Sequence, residues 1–190
     1  MKKNLRQWAM AQRAKRDEAL VAAFSQQIRA SVLTVLQSIG PCTVGLYHPF
    51  KGEPNVLPIA QSEALAGYSW ALPVCVRDAS GARLQFAQWD KDTALETGEY
   101  GIPVPVHKHW VSPAVLLIPC LAFHASGARL GYGAGWYDRT LQAYDSAGLK
   151  PFCVGVAYSD TEVAEMFHEP HDRLLDVVVT ERVVYRIGPA

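Results

Sequence analysis

The chain has 190 residues, of which 49% are hydrophobic, and its 18 basic and 18 acidic side chains leave no net charge. This length and composition suit one domain with a substantial core. A balanced charge disfavours a general nucleic-acid-binding protein, which normally carries a clear basic excess, but it is compatible with a small anionic ligand.

The N-terminal half begins with a helical pattern over 3–38, in which apolar residues recur at spacings of three and four. Arg16 is predicted to end a short first helix and Asp17 to cap a second one. The elements expected next, in chain order, are a buried strand at 42–48, a helix at 55–66, a strand at 67–76, and a turn with a strand at 79–89.

The C-terminal half begins with 90–113, which is rich in proline and polar residues and has no period. This composition predicts a long loop, and long loops in compact domains are often functional. The elements expected beyond it are a strand at 114–123, a helix at 136–148 ended by Gly148, a strand at 151–158, a short helix at 160–167, a core strand at 174–180 and an edge strand at 181–187.

Short apolar strands that alternate with helices predict an α/β fold. We expect residues 1–190 to form a single domain, with a mainly parallel sheet flanked by helices on both faces. Ligands of such proteins bind beyond the carboxyl ends of the strands.

Targeting signals and membrane spans are not evident in the sequence. The longest apolar run, at 114–123, is shorter than the roughly 18 residues of a membrane helix and contains a proline. The basic N-terminus is interrupted by Asp17 and Glu18 and is not followed by an apolar secretory core. We therefore expect a cytoplasmic protein with neither a membrane nor a nucleic-acid partner.

Several common catalytic patterns are missing from the sequence. No CxxC occurs, so reduced core thiols are expected at Cys42, Cys75, Cys120 and Cys153. The histidines lack the helical spacing of zinc ligands, and loop or surface positions are expected for His107, His109, His168 and His171. Neither Ser126 nor Ser159 lies in the GxSxG motif of a serine hydrolase.

The run RLGYGAGWYDRTL at 129–141 is the most informative part of the sequence. Its alternate glycines are compatible with a structural turn, which is a common use of glycine. They are also compatible with a phosphate-binding loop, because the run lies between a strand and a helix N-terminus, where N–H groups and the helix dipole favour anions. Asp138 then either caps the helix or holds Mg²⁺, and Arg129 and Arg139 offer fork-shaped donors to phosphate.

The longer run LLIPCLAFHASGARLGYGAGWYDRTL (116–141) resembles the signature of the 5-formyltetrahydrofolate cyclo-ligase family. Four other segments resemble further elements of that family in the same order along the chain: KKNLR (2–6), LYHPFKGEPN (46–55), GEYGIPVP (98–105) and EPHDRLLDVVVTE (169–181). The resemblance therefore covers nearly the whole chain.

The resemblance implies a ligase that uses ATP and Mg²⁺ to convert 5-formyltetrahydrofolate, a reduced folate, to 5,10-methenyltetrahydrofolate, with release of ADP and phosphate. We expect it to act as a monomer. The implied nucleotide contacts are Lys2, Lys3, Arg6, Arg129, Gly131, Tyr132, Gly133, Ala134, Gly135 and Trp136. The implied folate contacts are Phe50, Glu53, Trp136 and Tyr137. Arg139 and Tyr137 are the catalytic candidates, and Asp138 and Asp172 the candidate Mg²⁺ ligands.

Four residues depart from the family pattern. Ala134 replaces a glycine, Trp136 a tyrosine, Val104 a glutamate and His124 an aspartate. A methyl group at position 134 is tolerable where φ is negative. These departures keep two alternatives open: a nucleotide-binding paralogue that acts on another formylated metabolite, and a nucleotide-binding module without catalysis.

Overall fold

An eight-stranded sheet forms the centre of the protein. The computed structural model describes residues 2–79, 81–165 and 173–188. The strands are β1 (Thr43–Gly45), β2 (Ser69–Asp78), β3 (Gly81–Trp89), β4 (Leu95–Thr97), β5 (Pro103–Pro105), β6 (Trp110–Val111), β7 (Val115–Pro119), β8 (Ala122–Phe123), β9 (Arg129–Leu130), β10 (Phe152–Val156), β11 (Val177–Val179) and β12 (Val184–Arg186). The helices are α1 (Lys2–Ala14), α2 (Glu18–Ile39) and α3 (Trp136–Ser146).

The strand order in the main sheet is β12-β11-β10-β7-β1-β2-β3-β6. The five strands from β11 to β2 are parallel to one another, and the strands outside them pair antiparallel. The prediction of a mainly parallel sheet is therefore confirmed, and the predicted edge strand at 181–187 is β12.

Each face of the sheet has its own apolar core, because successive strand residues point to opposite sides. In β7, Leu117 packs on the side of α2 with Val32 and Leu36, whereas Leu116 packs on the side of α3 with Leu141. The predicted helices on both faces are thus confirmed. α1 lies apart from these cores and packs its Ala9 against the small β8–β9 hairpin.

α2 is long and apolar enough, by length and mean hydropathy, to cross a membrane. Its Ile28 and Val35 are buried against the sheet, whereas Leu20 and Ile39 are exposed. The Asp17 carboxylate accepts the N–H of Leu20 at 2.8 Å, so the predicted N-cap is confirmed.

Two predicted helices are wrong. Residues 55–66 instead contain two short 3₁₀ turns, Leu57–Gln61 and Glu63–Leu65, because the extended backbone of Ser62 (ψ 121°) separates them and prevents a continuous helix. At 160–167, a single 3₁₀ turn ends at Thr161. The chain then becomes extended, because Val163 donates its N–H to the Phe123 carbonyl, 2.9 Å away. Residues 166 and 167 lie outside the described part of the chain.

The predicted loop at 90–113 is also wrong, since it contains the β4–β5 hairpin and the edge strand β6. The predicted strand at 114–123 divides into β7 and β8, because the chain leaves the main sheet after Pro119. The predicted strand at 42–48 retains only three residues as β1. All four cysteines are free, as expected, but only Cys120 and Cys153 are buried, whereas Cys42 and Cys75 are half-buried.

The topology places a crevice beside β1 and β7. The chain leaves β1 toward β2 on one side, and leaves β7 toward β10 on the other. Such a switch point in an open parallel sheet opens a ligand site at the carboxyl ends of the two strands.

Candidate active site

A cavity of about 400 Å³ occupies this crevice. Its walls come from the N-terminus of α1, the loop after β1, the β4–β5 hairpin and the glycine run before α3. The sequence-predicted residues that line it are Lys2, Arg6, Phe50, Glu53, Arg129, Gly131, Tyr132, Gly133, Ala134, Gly135, Trp136, Tyr137 and Asp138. The structure therefore brings most of the predicted site together.

Two predicted site residues are not brought to this cavity, and a third lies outside the described residues. Lys3 is exposed on α1 and is not part of the lining. Arg139 lies behind the glycine run and not in the cavity wall. Asp172, like His168 and His171, lies outside the described residues, so its predicted role as a Mg²⁺ ligand stays a prediction.

The glycine run is shaped by two residues that need a left-handed backbone. Gly133 has φ +99°, and a Cβ there would lie 3.0 Å from Arg6 Cζ. Gly135 has φ +68° and forms the N-cap of α3. Arg6 Nε donates to the Gly131 carbonyl at 3.0 Å, so α1 fixes the beginning of the loop. A cation and a helix N-terminus consequently face the cavity together.

Ala134 fits between these glycines. Among the described residues, only Lys51 and Tyr100 have positive φ without being glycine, so the expectation for the backbone of Ala134 is met. Its carbonyl accepts Arg139 Nη1 at 2.8 Å. Arg139 Nε also donates to the Ala82 carbonyl, which ties the loop to β3. In this structure Arg139 supports the loop from behind.

Asp138 and Arg129 form an ion pair at the cavity rim. The Asp138 side chain is 49% exposed, whereas that of Arg129 is only 8% exposed. No group of three or more potential metal ligands occurs among the described residues. Since Mg²⁺ usually takes one or two carboxylates together with phosphate and water, the exposed Asp138 carboxylate fits such a role.

Glu53 also lines the cavity and is only 5% exposed. Its Oε2 accepts the Phe50 N–H at 3.0 Å, and its Oε1 lies 3.9 Å from Arg13 Nη1. Burial raises the pKa of Glu53 to about 7, although the Arg13 charge and the Phe50 N–H both lower it. The carboxyl group is therefore poised to gain or lose a proton near neutral pH.

Aromatic side chains also line the cavity. Phe50 and Tyr132 meet edge to face, with ring centroids 5.8 Å apart. Trp136 donates its indole N–H to the Tyr100 hydroxyl at 3.3 Å, so the β4–β5 hairpin reaches the start of α3. Arg77 lies 4.8 Å from the centre of the Trp136 ring. These flat surfaces suit a planar ligand.

The Tyr137 hydroxyl and the Cys75 thiol remain protonated at this site. Burial raises the pKa of the Tyr137 hydroxyl well above its ordinary value. Burial also raises the pKa of the Cys75 thiol, which lines the cavity, to about 11. The thiol is consequently a poor nucleophile, because reactivity belongs to the thiolate.

The other two departures from the family pattern lie in different places. Val104 packs with Val74 and Ala87 and also lines the cavity, so an apolar side chain stands there in place of the glutamate of the family pattern. His124 Nδ1 lies 2.8 Å from Ser126 Oγ and accepts the Ser126 N–H at 3.1 Å, so it closes the turn between β8 and β9.

Sequence reasoning missed Arg13, Lys51 and Tyr100. Arg13 is one of several basic residues in α1, and nothing in its neighbourhood sets it apart. Lys51, whose ammonium lies 4.9 Å from the Phe50 ring centre, follows directly in the motif that identified Glu53. Tyr100 lies in GEYGIPVP, one of the segments that resemble the family, whereas its left-handed backbone (φ +61°) is visible only in the structure.

The fold and the cavity define an α/β ligand-binding protein whose crevice joins a cationic glycine loop to an aromatic cleft with a buried carboxyl group. The chain belongs to the 5-formyltetrahydrofolate cyclo-ligase family, whose sequence profile matches residues 1–181. It is therefore a ligase, and the recognition made from the motifs is confirmed.

Individual relatives agree. The chain is 36% identical over 149 residues to the 5-formyltetrahydrofolate cyclo-ligase of Mycolicibacterium smegmatis, with 74% of each chain covered. It is 30% identical to the Haemophilus influenzae cyclo-ligase, with 81% of this chain and 84% of the relative covered. It also resembles the solved structure of Aquifex aeolicus 5,10-methenyltetrahydrofolate synthetase, with a TM-score of 0.81, 28% identity, and coverage of 100% and 94%.

Proposed function

We propose that this ligase converts 5-formyltetrahydrofolate to 5,10-methenyltetrahydrofolate with ATP and Mg²⁺, and releases ADP and phosphate. The observation that carries the proposal is that two kinds of group line one cavity. The glycine run at the start of α3, with Arg6 and Lys2, lines the same cavity as the buried carboxyl group of Glu53. A nucleotide and a folate would meet between them.

The phosphate side consists of Gly131, Gly133, Gly135 and the first turn of α3. Arg6 and Lys2 supply positive charge from α1. Loop N–H groups and the helix dipole stabilise phosphate oxygens without any covalent contact. In this proposal, Arg139 is a positioning residue that holds the loop through the carbonyls of Ala134 and Ala82.

Asp138 would hold Mg²⁺, with Asp172 as its proposed second acidic ligand. A bound Mg²⁺ neutralises charge on the phosphates. The Arg129 guanidinium keeps the Asp138 carboxylate at the rim, where it is accessible. Nucleotide phosphates and water would complete the coordination.

The folate side consists of Glu53 and aromatic rings. The pterin ring carries N–H donors, and an ionised Glu53 accepts hydrogen bonds from such groups. Phe50 and Trp136 provide apolar surface for a flat ring. Tyr137, whose hydroxyl stays protonated, can donate a hydrogen bond to a substrate oxygen.

The reaction needs activation of a poor electrophile. The formyl oxygen of the substrate attacks the γ-phosphorus of ATP, and ADP leaves. The N10 amine then attacks the formyl carbon, N10 loses its proton, and the former formyl oxygen departs as phosphate. No enzyme nucleophile is required, which agrees with the protonated Cys75 thiol. Catalysis then comes from positioning and from stabilisation of phosphate charge.

One assay separates this function from its alternatives. Methenyltetrahydrofolate absorbs in the near ultraviolet, where the 5-formyl substrate does not. We expect this band to grow only when ATP, Mg²⁺ and 5-formyltetrahydrofolate are all present. ATP hydrolysis with another formylated metabolite but not with the folate would favour the paralogue. Tight nucleotide binding without turnover would favour the non-catalytic module.

We further propose that the enzyme acts as a cytoplasmic monomer without a nucleic-acid or membrane partner. The balanced net charge supports this proposal. Light scattering coupled to gel filtration tests it, since a monomer elutes with the mass of one 20.9 kDa chain.

A further inference from the structure

Arg13 is a buried cation that contacts two residues of the cavity lining, Tyr132 and Glu53. Its side chain is only 4% exposed, and it comes from the last turn of α1. A buried charge costs several kcal/mol unless it is paired and hydrogen-bonded. Packing alone does not require a charged residue at this position, so the contacts of the Arg13 guanidinium explain why it is buried here.

These contacts join three segments that are far apart in the sequence. Nη1 donates to the Tyr132 hydroxyl of the glycine run at 2.8 Å. Nη2 donates to the Cys120 carbonyl, just beyond β7, at 2.9 Å. Nη1 also lies 3.9 Å from Glu53 Oε1. Nε is buried without a hydrogen-bond acceptor among the described residues, so both terminal nitrogens, and not Nε, anchor the guanidinium.

We infer that Arg13 is a positioning residue that holds the Glu53 carboxyl group and the Tyr132 ring in one arrangement, and so couples the folate side of the cavity to its phosphate side. This inference rests on the proposed function. Arg13 itself does not line the cavity, and it acts through Glu53 and Tyr132, which do.

The charge of Arg13 is well placed to control Glu53. Five other titratable groups interact electrostatically with this carboxyl group, and they are phenols and a thiol. Burial raises the pKa of each, so they are neutral: Tyr47, Cys120, Tyr132, Tyr137 and Tyr158. Lys51, two residues before Glu53, directs its ammonium toward the Phe50 and Tyr132 rings. Arg13 is thus the cation that lowers the pKa of Glu53.

Arg16 provides a matched control. Its side chain is 3% exposed, and it pairs with Asp160 and covers the Tyr158 ring at 4.0 Å. It neither lines the cavity nor pairs with Glu53. An Arg16→Gln variant therefore loses a buried guanidinium of similar structural weight, while the cavity contacts of Arg13 persist.

The experiment compares Arg13→Gln, Arg13→Lys and Arg16→Gln with the parent protein. The carboxyl ¹³C resonance of Glu53, assigned with Glu53→Gln, is titrated in the ligand-free protein. We expect Arg13→Gln to move the midpoint upward by about 1–3 pH units, Arg13→Lys to restore most of the shift, and Arg16→Gln to leave it in place. In turnover, Arg13→Gln should raise KM for the folate and move the pH profile of kcat/KM in the same direction.

Midpoints that coincide in the parent and Arg13→Gln would overturn the inference, as would an equal shift in Arg16→Gln. The resonance is read without substrate, so it remains informative if the proposed function fails. Absence of methenyl product from the parent protein would overturn the proposed function alone.

Discussion

The geometry of the glycine run makes Gly135→Ala a sharp test of the nucleotide site. Gly135 caps α3 with φ +68° and ψ 19°, a left-handed conformation that alanine adopts reluctantly. A Cβ at this position would lie 2.8 Å from Arg139 Nη1. That nitrogen holds the Ala134 carbonyl, so the substitution strains the backbone and also displaces the support of the loop.

The two effects can be separated with Gly148→Ala. Gly148 has φ +74° beyond the other end of α3, and a Cβ added there would have open space within 4 Å. The free energy of unfolding of Gly148→Ala should therefore fall by only about 1–2 kcal/mol, which is the cost of a left-handed backbone at alanine. Gly135→Ala should lose about 1 kcal/mol more, because an exposed hydrogen bond of Arg139 is broken as well.

Urea denaturation measures the stability loss, and calorimetric titration measures ATP binding. We expect ATP affinity to fall at least about tenfold in Gly135→Ala, which corresponds to about 1.4 kcal/mol. Gly148→Ala should bind ATP as the parent does, although it is also less stable. Growth of the methenyl band should follow the same order.

Equal ATP affinity in Gly135→Ala and Gly148→Ala would refute the assignment of the glycine run to the nucleotide. Equal stability of the two variants would refute the supporting role of Arg139, because the left-handed penalty is common to both.

Three further variants probe other parts of the site. Asp138→Asn should lower Mg²⁺-dependent turnover by roughly 10²–10³-fold without unfolding the protein, whereas Asp145→Asn on the same helix should not. Thr140→Val should lower the free energy of unfolding, measured by urea denaturation, by about 1–3 kcal/mol, because the buried Thr140 hydroxyl accepts the Leu84 N–H at 2.8 Å. Thr140→Ser keeps the hydroxyl and should retain most of this stability. Glu53 has a pKa raised from 4.5 to about 7, so the folded state holds a proton that the unfolded state has released, and its contribution to stability is full below about pH 4.5 and lost as the pH rises through 7. The side chain in Glu53→Gln does not titrate, so the stability of this variant relative to the parent should increase as the pH rises from about 4.5 to 7. Parallel curves of unfolding free energy against pH for the two proteins would contradict the shift.

Those parts of the fold that depend on local signals are predictable from the sequence. The strands of the parallel core are short apolar runs, and α2 has both a period and the capping residue Asp17. Strands of two or three residues carry no detectable period, which is why the hairpin at 95–105 is missed. The predicted helix at 160–167 fails for another reason: the hydrogen bond between Val163 and Phe123 joins residues distant in sequence, and such tertiary pairing overrides local propensity.

The candidate site also has one part that the sequence predicts and another part that only the structure shows. The glycine run is contiguous, so its anion-binding character is visible in the sequence, and the family resemblance extends it to Glu53. The contact between Arg13 and Tyr132 spans 119 positions. No local sequence pattern predicts this contact, so the role of Arg13 as the charge that acts on Glu53 is visible only in the folded protein.

The departure at Ala134 bears on the choice between a cyclo-ligase and a paralogue. Gly133 and Gly135 both require positive φ, whereas the residue between them does not. Ala134 is exposed, and its contact with Arg139 is made by the main-chain carbonyl, which any residue possesses. The loop conformation therefore demands glycine at 133 and 135 and tolerates alanine at 134. Since neither the backbone nor the support of the loop depends on a glycine there, the loop conformation gives no reason to separate the chain from the catalytic members of its family.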